Sequence, residues 1–237
     1  MPYMSYFVFL GLLLLCSIFS GWASMRVHSS YNAFSAQKNA SHMTGYDTAV
    51  RLLRANGVYD ISVGKVKGTL TDHFDPKRQI VNLSDSTYGN DSVAAVAVAA
   101  HEIGHVMQKE KGYVPYKIRS ALVPVVNIGA RMAVPLVLVG LLLDLLLNFS
   151  SVGFYAAIAG IILYGLSTLF HLVTLPVEYN ASARAVEWLQ TSHTMQGAQL
   201  AQAREALSWA ARTYLVAALS AIASVLYYVF LILGRRD

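Results

Sequence analysis

Residues 101–105 read His-Glu-Ile-Gly-His. Two imidazoles four positions apart, with a carboxylate directly after the first, are residue types that bind zinc and activate water. Positions four apart on an α-helix are neighbours on one face. His101 and His105 thus offer two nitrogens to one metal ion, and Glu102 points beside that face, where a general base acting on water belongs. With seven His and five Glu among 237 residues, chance gives this pattern about 0.004 times per chain.

The blander alternative is a pair of surface histidines on a juxtamembrane helix. Against it, Val93–Ile103 lacks Gly and Pro and is rich in small apolar residues, the composition of a buried helix. Two buried histidines beside a buried carboxylate are costly without a partner. Asn90, Asp91 and Ser92 are good caps for a helix from about Val93 to Lys109, with Gly112 and Pro115 ending it. Gly104 fits a place where another group must approach closely.

The elements that must hold this helix belong to a membrane protein. Of the 237 residues, 55% are hydrophobic and 13% charged, about half the charge of a soluble domain. Four apolar runs reach the roughly 20 residues that a spanning helix needs: Tyr3–Trp22, Val125–Leu147, Val152–Leu175 and Thr213–Leu233. No Lys or Arg precedes the first, which reads as an uncleaved anchor rather than a secretory signal. Cys16, the single cysteine, excludes an intrachain disulfide and a Cys-based zinc site, and reads as an apolar filler in that anchor.

The net charge of +5 does not call for nucleic acid. Arg26, Lys109, Lys111, Lys117, Arg119, Arg184, Arg204 and Arg212 all lie in segments 23–124 and 176–212, whereas the connector Asn148–Ser151 is uncharged. An excess of Lys and Arg marks the cytoplasmic side. Both larger loops are therefore expected inside and both termini outside, an assignment with which Arg235 and Arg236 disagree. Arg131 and Asp144, inside the second run, read as charges that snorkel from its two ends.

The organisation that follows is an anchor (1–24), a domain with the His-Glu-Ile-Gly-His helix (25–120), a transmembrane hairpin (121–175), a helix on the starting side (176–211) and a last span (212–237). The fold class is a mainly α membrane protein with a small α+β zincin-like domain. Within that domain Thr44 caps a helix closed by Gly57, "VYDISV" and "GKVKGTL" read as strands separated by Gly64, and a turn at Asp75-Pro76 leads into a strand from about Arg78 to Leu83. In the third span Gly153, Ala156, Ala157 and Gly160, and in the fourth Ala217, Ser220, Ala221 and Ser224, permit close helix packing.

A catalytic zinc usually has three protein ligands and one open position. The third must come from the side that carries the first two, and segment 176–212 satisfies that. Glu178 sits there on the first turn of a helix begun by Pro176. Its competitors are His171 near the inner end of the third span, His193 in the polar stretch "QTSHTMQG", and Glu187 and Glu205, which read as solvated helix charges. Spacing alone does not choose among them.

The segments "MTGYDTAVRLLRANGVYDISV", "GTLTDHFDP", "IVNLS", "VAAVAVAAHEIGHVMQ", "RSALVP" and "LPVEYNASARA" together resemble the YugP-like neutral zinc metallopeptidases of bacterial membranes. The likeness covers most of residues 43–233. "EYNAS" is more distantly similar to the Glu-Tyr-x-Ala-Asp segment of HtpX-like and prenyl-protein membrane proteases, whose glutamate is the third zinc ligand, which selects Glu178. Ser182 replaces the Asp that orients a ligand histidine in the HtpX-like pattern, and Asn180 stands where the YugP-like pattern has Asp. Either can still accept a histidine N–H through oxygen.

The resemblance implies a zinc-dependent endopeptidase of the bacterial cytoplasmic membrane, acting on membrane or hydrophobic protein substrates. One zinc ion on His101, His105 and Glu178 would activate water, and Glu102 would take the proton and deliver it to the leaving amine. Ile80, Val81, Asn82 and Leu83 would be the edge strand that receives an extended peptide. Arg184 would stabilise the oxyanion or serve as a membrane-surface charge. The competing function is a non-catalytic zinc-binding scaffold or regulatory partner, which a fourth protein ligand would favour.

Overall fold

The computed structural model describes residues 2–147 and 150–233, and the expectations for positions 148 and 149 and for Arg235 and Arg236 lie outside them. The elements are α1 (Pro2–Ser35), α2 (Gly45–Ala55), β1 (Ser62–Val66), β2 (His73–Asp75), β3 (Ile80–Ser84), α3 (Asp85–Tyr88), α4 (Val93–Glu110), α5 (Val114–Leu147), α6 (Ser150–Thr191) and α7 (Gly197–Leu233). The chain is mainly helical with one small sheet. It divides into two compact units, one of residues 1–22, 117–175 and 213–237, the other of 23–116 and 176–212.

Three helices are long and apolar enough to cross a membrane: Leu10–Ser35, Val152–Thr191 and Gly197–Phe230. A bent pair, Val114–Gly129 and Arg131–Gly140, meets at 43° and would make a fourth if it is one span. The bend has a covalent cause. Pro135 gives no N–H to the carbonyl of Arg131, and its ring crowds that turn. Within the first unit α5 and α6 cross at small residues. A Cβ on Gly140 would stand 2.7 Å from Ala157 N, and one on Gly160 2.7 Å from Ala133 O.

The second unit has a conventional core. α2 starts in a capping box: Thr44 Oγ1 accepts from Asp47 N at 3.1 Å, and Asp47 Oδ2 accepts from Thr44 N at 3.0 Å. Gly57, at φ +73°, lets the chain leave α2. Leu52, Leu53, Val81, Leu83, Val93, Val96, Ile103 and Val106 pack with Val186 and Leu189 into one cluster. Ser92 caps α4, its Oγ accepting from Ala95 N at 3.2 Å.

The sheet has the order β1-β3-β2, with β1 parallel and β2 antiparallel to β3. Here several expectations give way. One strand, β1, runs through Gly64, which separates nothing: a Cβ there would lie 2.7 Å from Ile80 Cδ1, so the glycine admits a cross-strand neighbour. Ile80, Val81, Asn82 and Leu83 do not form an edge strand. They lie in the central strand β3, paired with β1 along its whole length and with β2 over Ile80, Val81 and Asn82. The edges of the sheet are β1 and β2, and β2 is the one packed beside α4.

Two prolines also sit differently from expectation. Pro115 is the second residue of α5, where a missing N–H costs nothing, and Gly112 at φ +65° is what ends α4. Pro176 does not start a helix but lies inside the continuous α6.

Candidate metal centre

The site is built from α4 and the part of α6 in the second unit. Their crossing is close because Gly104 has no side chain. A Cβ there would stand 2.7 Å from Ala181 O and 3.1 Å from Ala181 Cα. This contact brings the third ligand, the Glu178 carboxylate, to the histidines. Glu178 Oε2 lies 3.3 Å from His101 Nε2 and 3.5 Å from His105 Nε2. The two rings are nearly perpendicular, 86° apart with centroids 4.7 Å from each other. All three ligand atoms lie within 4.8 Å of one another.

These separations fit zinc. Ligand atoms about 2.0–2.2 Å from a tetrahedral zinc are about 3.3–3.6 Å from each other. Both contacts to Glu178 Oε2 fall in that range, with two nitrogens and one carboxylate as donor set. His105 and Glu178 are buried, and His101 is largely so.

Glu102 is buried beside the cluster. Burial pushes its carboxyl up to about 7, against the pull of the His101 ring, while the charge of Glu178 pushes the same way as burial. Asp72 and His73, at the start of β2, act on it too, which sets that edge strand near the base. His73 itself has both ring nitrogens engaged, Nδ1 with Thr71 O at 2.9 Å and Nε2 with Asn82 Nδ2 at 3.1 Å.

The far sides of the ligand rings are also held. Ser182 Oγ lies 3.2 Å from His101 Nδ1. Gln108 Oε1 lies 3.0 Å from His105 Nδ1. Gln108 is fully buried, and its amide nitrogen donates to Val177 O at 2.7 Å and to Asn180 Oδ1 at 3.1 Å. Asn180 Oδ1 also accepts from Arg184 Nε at 2.8 Å. Asn180 therefore touches neither histidine and joins Gln108 to Arg184.

Arg184 stands away from the ligands. It lines a cavity of about 180 Å³ with Leu52, Gly104, Met107 and Trp188, none of them a ligand or the base. Among the competitors for third ligand, Glu187, His193 and Glu205 are exposed, and His171 lies in the first unit, outside the metal-holding group. Gln108 is the residue that sequence reasoning missed. Its only signal was position, three residues after His105 on the same helix face.

Two imidazoles and a carboxylate close enough to hold one metal ion, a buried acid beside them, and apolar helices of spanning length occur together in this chain. The chain belongs to the family described as "Putative neutral zinc metallopeptidase", whose profile matches residues 8–233. It is 38% identical over 218 residues to "Putative membrane protease YugP" of Bacillus subtilis (strain 168), covering 92% of this chain and 93% of that relative. No solved structure matches.

Proposed function

We propose that the protein is a membrane-bound, zinc-dependent endopeptidase that cleaves membrane or hydrophobic protein substrates. The observation that carries the reading is that His101 and His105 both lie from Glu178 at the separations of ligands on a tetrahedral zinc, with Glu102 buried alongside. Among the described residues the group has three members, which supports an open catalytic position over a closed four-ligand structural site.

Zinc held there would supply Lewis acidity, making water a competent nucleophile near neutral pH. Glu102, buried beside the ligands, takes the proton of the attacking water and returns it to the leaving amine. The substrate backbone adds to the outer edge of β2, His73–Asp75, in place of the buried Ile80–Leu83 strand. Ser182 Oγ accepts the hydrogen bond of His101 Nδ1–H, and Gln108 Oε1 that of His105 Nδ1–H. The Lys and Arg distribution supports an active site on the cytoplasmic face of the bacterial membrane.

The test compares purified wild type with Glu102→Gln. Equal zinc content with cleavage of a peptide library reduced about 10²–10⁴-fold is expected. Equal cleavage by both would remove Glu102 from the mechanism. Sidedness is read in a Cys16→Ser background carrying Asp60→Cys. Labelling only from the external face would reverse the orientation.

A further inference from the structure

The hydrogen bonds behind His105 run in one direction only. Arg184 is a donor with no acceptor capacity. Its Nε lies 2.8 Å from the Asn180 side chain, so the atom that meets it is the amide oxygen. That oxygen also faces Gln108 at 3.1 Å, so Gln108 presents its nitrogen there. The same nitrogen meets a second acceptor, the Val177 carbonyl, at 2.7 Å. Gln108 therefore has its oxygen turned to His105 Nδ1, 3.0 Å away, and an oxygen can only accept. A proton is thereby held on Nδ1, which leaves Nε2, 3.5 Å from Glu178 Oε2, as the nitrogen available to a metal ion.

We propose that Arg184, Asn180 and Gln108 form a positioning relay that fixes His105 in the metal-binding tautomer and locks the Glu178 turn of α6 against α4. The second half follows from where Gln108 is tied. Val177 directly precedes Glu178, and Asn180 follows two residues later, so one amide from α4 grips the turn that carries the third ligand. Gln108, at the middle of the relay, has 0% exposure, and Asn180 and Arg184 are half-buried. An amide left without partners at Gln108 is costly. This assigns Arg184 to the far end of the relay, in place of the oxyanion.

The relay rests on the zinc site proposed above, so its test separates the two. Full-length protein in detergent is stripped of metal, and zinc affinity is measured by competition with a chelating dye. The cobalt(II) visible spectrum is recorded in parallel. Wild type is expected to bind one zinc, with binding lost in His105→Ala. Gln108→Met, close in shape but without donors or acceptor, is expected to weaken zinc about 10- to 100-fold and to change the cobalt bands. Asn180→Asp preserves an acceptor for both Arg184 and Gln108 and is expected to keep wild-type affinity and spectrum. Asn180→Leu removes that acceptor and is expected to fall between the two.

Gln108→Glu covers the case in which Gln108→Met does not fold. Its carboxylate still accepts from His105 but opposes the oxygens of Val177 and Asn180, so affinity below wild type is expected. Wild type without stoichiometric zinc overturns the site and the relay together. Wild-type zinc binding with unchanged affinity and cobalt spectrum in Gln108→Met, or in Gln108→Glu where that is the folded variant, overturns the relay alone.

Discussion

The two units of this protein use apolar residues in opposite senses. In the unit of residues 23–116 and 176–212, the large apolar side chains are interior, and Leu52, Val81, Leu83 and Leu189 are at most 2% exposed. In the other unit they face outward, as Phe7 at 72%, Ile128 at 67% and Val152 at 60% illustrate. Only 6% of the apolar window of α1 and 17% of that of α6 is buried. A surface so apolar over whole helices is the surface of a protein solvated by lipid. The polar chemistry sits entirely in the unit whose apolar groups are inside. There a buried carboxylate and two imidazoles gain from low dielectric.

Replacing the base gives the largest effect and tests where function resides. Glu102→Gln should lower peptide cleavage about 10²–10⁴-fold while zinc content stays constant, measured by turnover and metal analysis. The contrast in solvation comes next. Leu52→Ala, at a buried position, should cost about 2–5 kcal/mol, whereas Ile128→Ala, at an outward position, should change stability in detergent by less than about 1 kcal/mol. Similar losses at both would mean that the two surfaces are not differently solvated.

Acidity sharpens the same contrast. The Glu102 carboxyl has a folded value of about 7 against an ordinary 4.5, raised by burial. The folded, metal-free protein then holds a proton that the unfolded chain releases. The stabilisation is full below the unfolded value and is lost as pH rises from about 4.5 to about 7. Denaturant melts of the metal-free protein should lose up to about 3 kcal/mol over that window, and Glu102→Gln should remove this dependence. Last, Gly104→Ala places a methyl against the Ala181 backbone and should cost about 1–3 kcal/mol together with zinc affinity, read by melting and dye competition.

Much of this was legible in the chain because local rules act locally. Thr44 and Ser92 cap the helices that follow them, and Gly104 marks the crossing that its lack of a side chain permits. The spacing of His101 and His105 put both rings on one face. What could not be read depends on partners distant in sequence. β3 looked like an edge because nothing in "IVNLS" states that β1 pairs in parallel on one flank and β2 antiparallel on the other. Gly64 read as punctuation, since glycine serves turns and tight cross-strand contacts alike. Pro176 read as a start because proline is at home there, yet it lies within one 42-residue helix. Gln108 carries no charge and no metal-ligand chemistry, so nothing distinguished it from a solvated glutamine until α6 was seen against it.

If substrate docks on β2 as proposed, the shortness of that strand limits what can be recognised. A ledge of three residues offers a docked chain no more than a few backbone contacts, enough to register the positions around one cut and nothing farther out. Selectivity must then arise from how rarely a stretch of polypeptide is unfolded and within reach of the bilayer surface, rather than from a long recognition sequence.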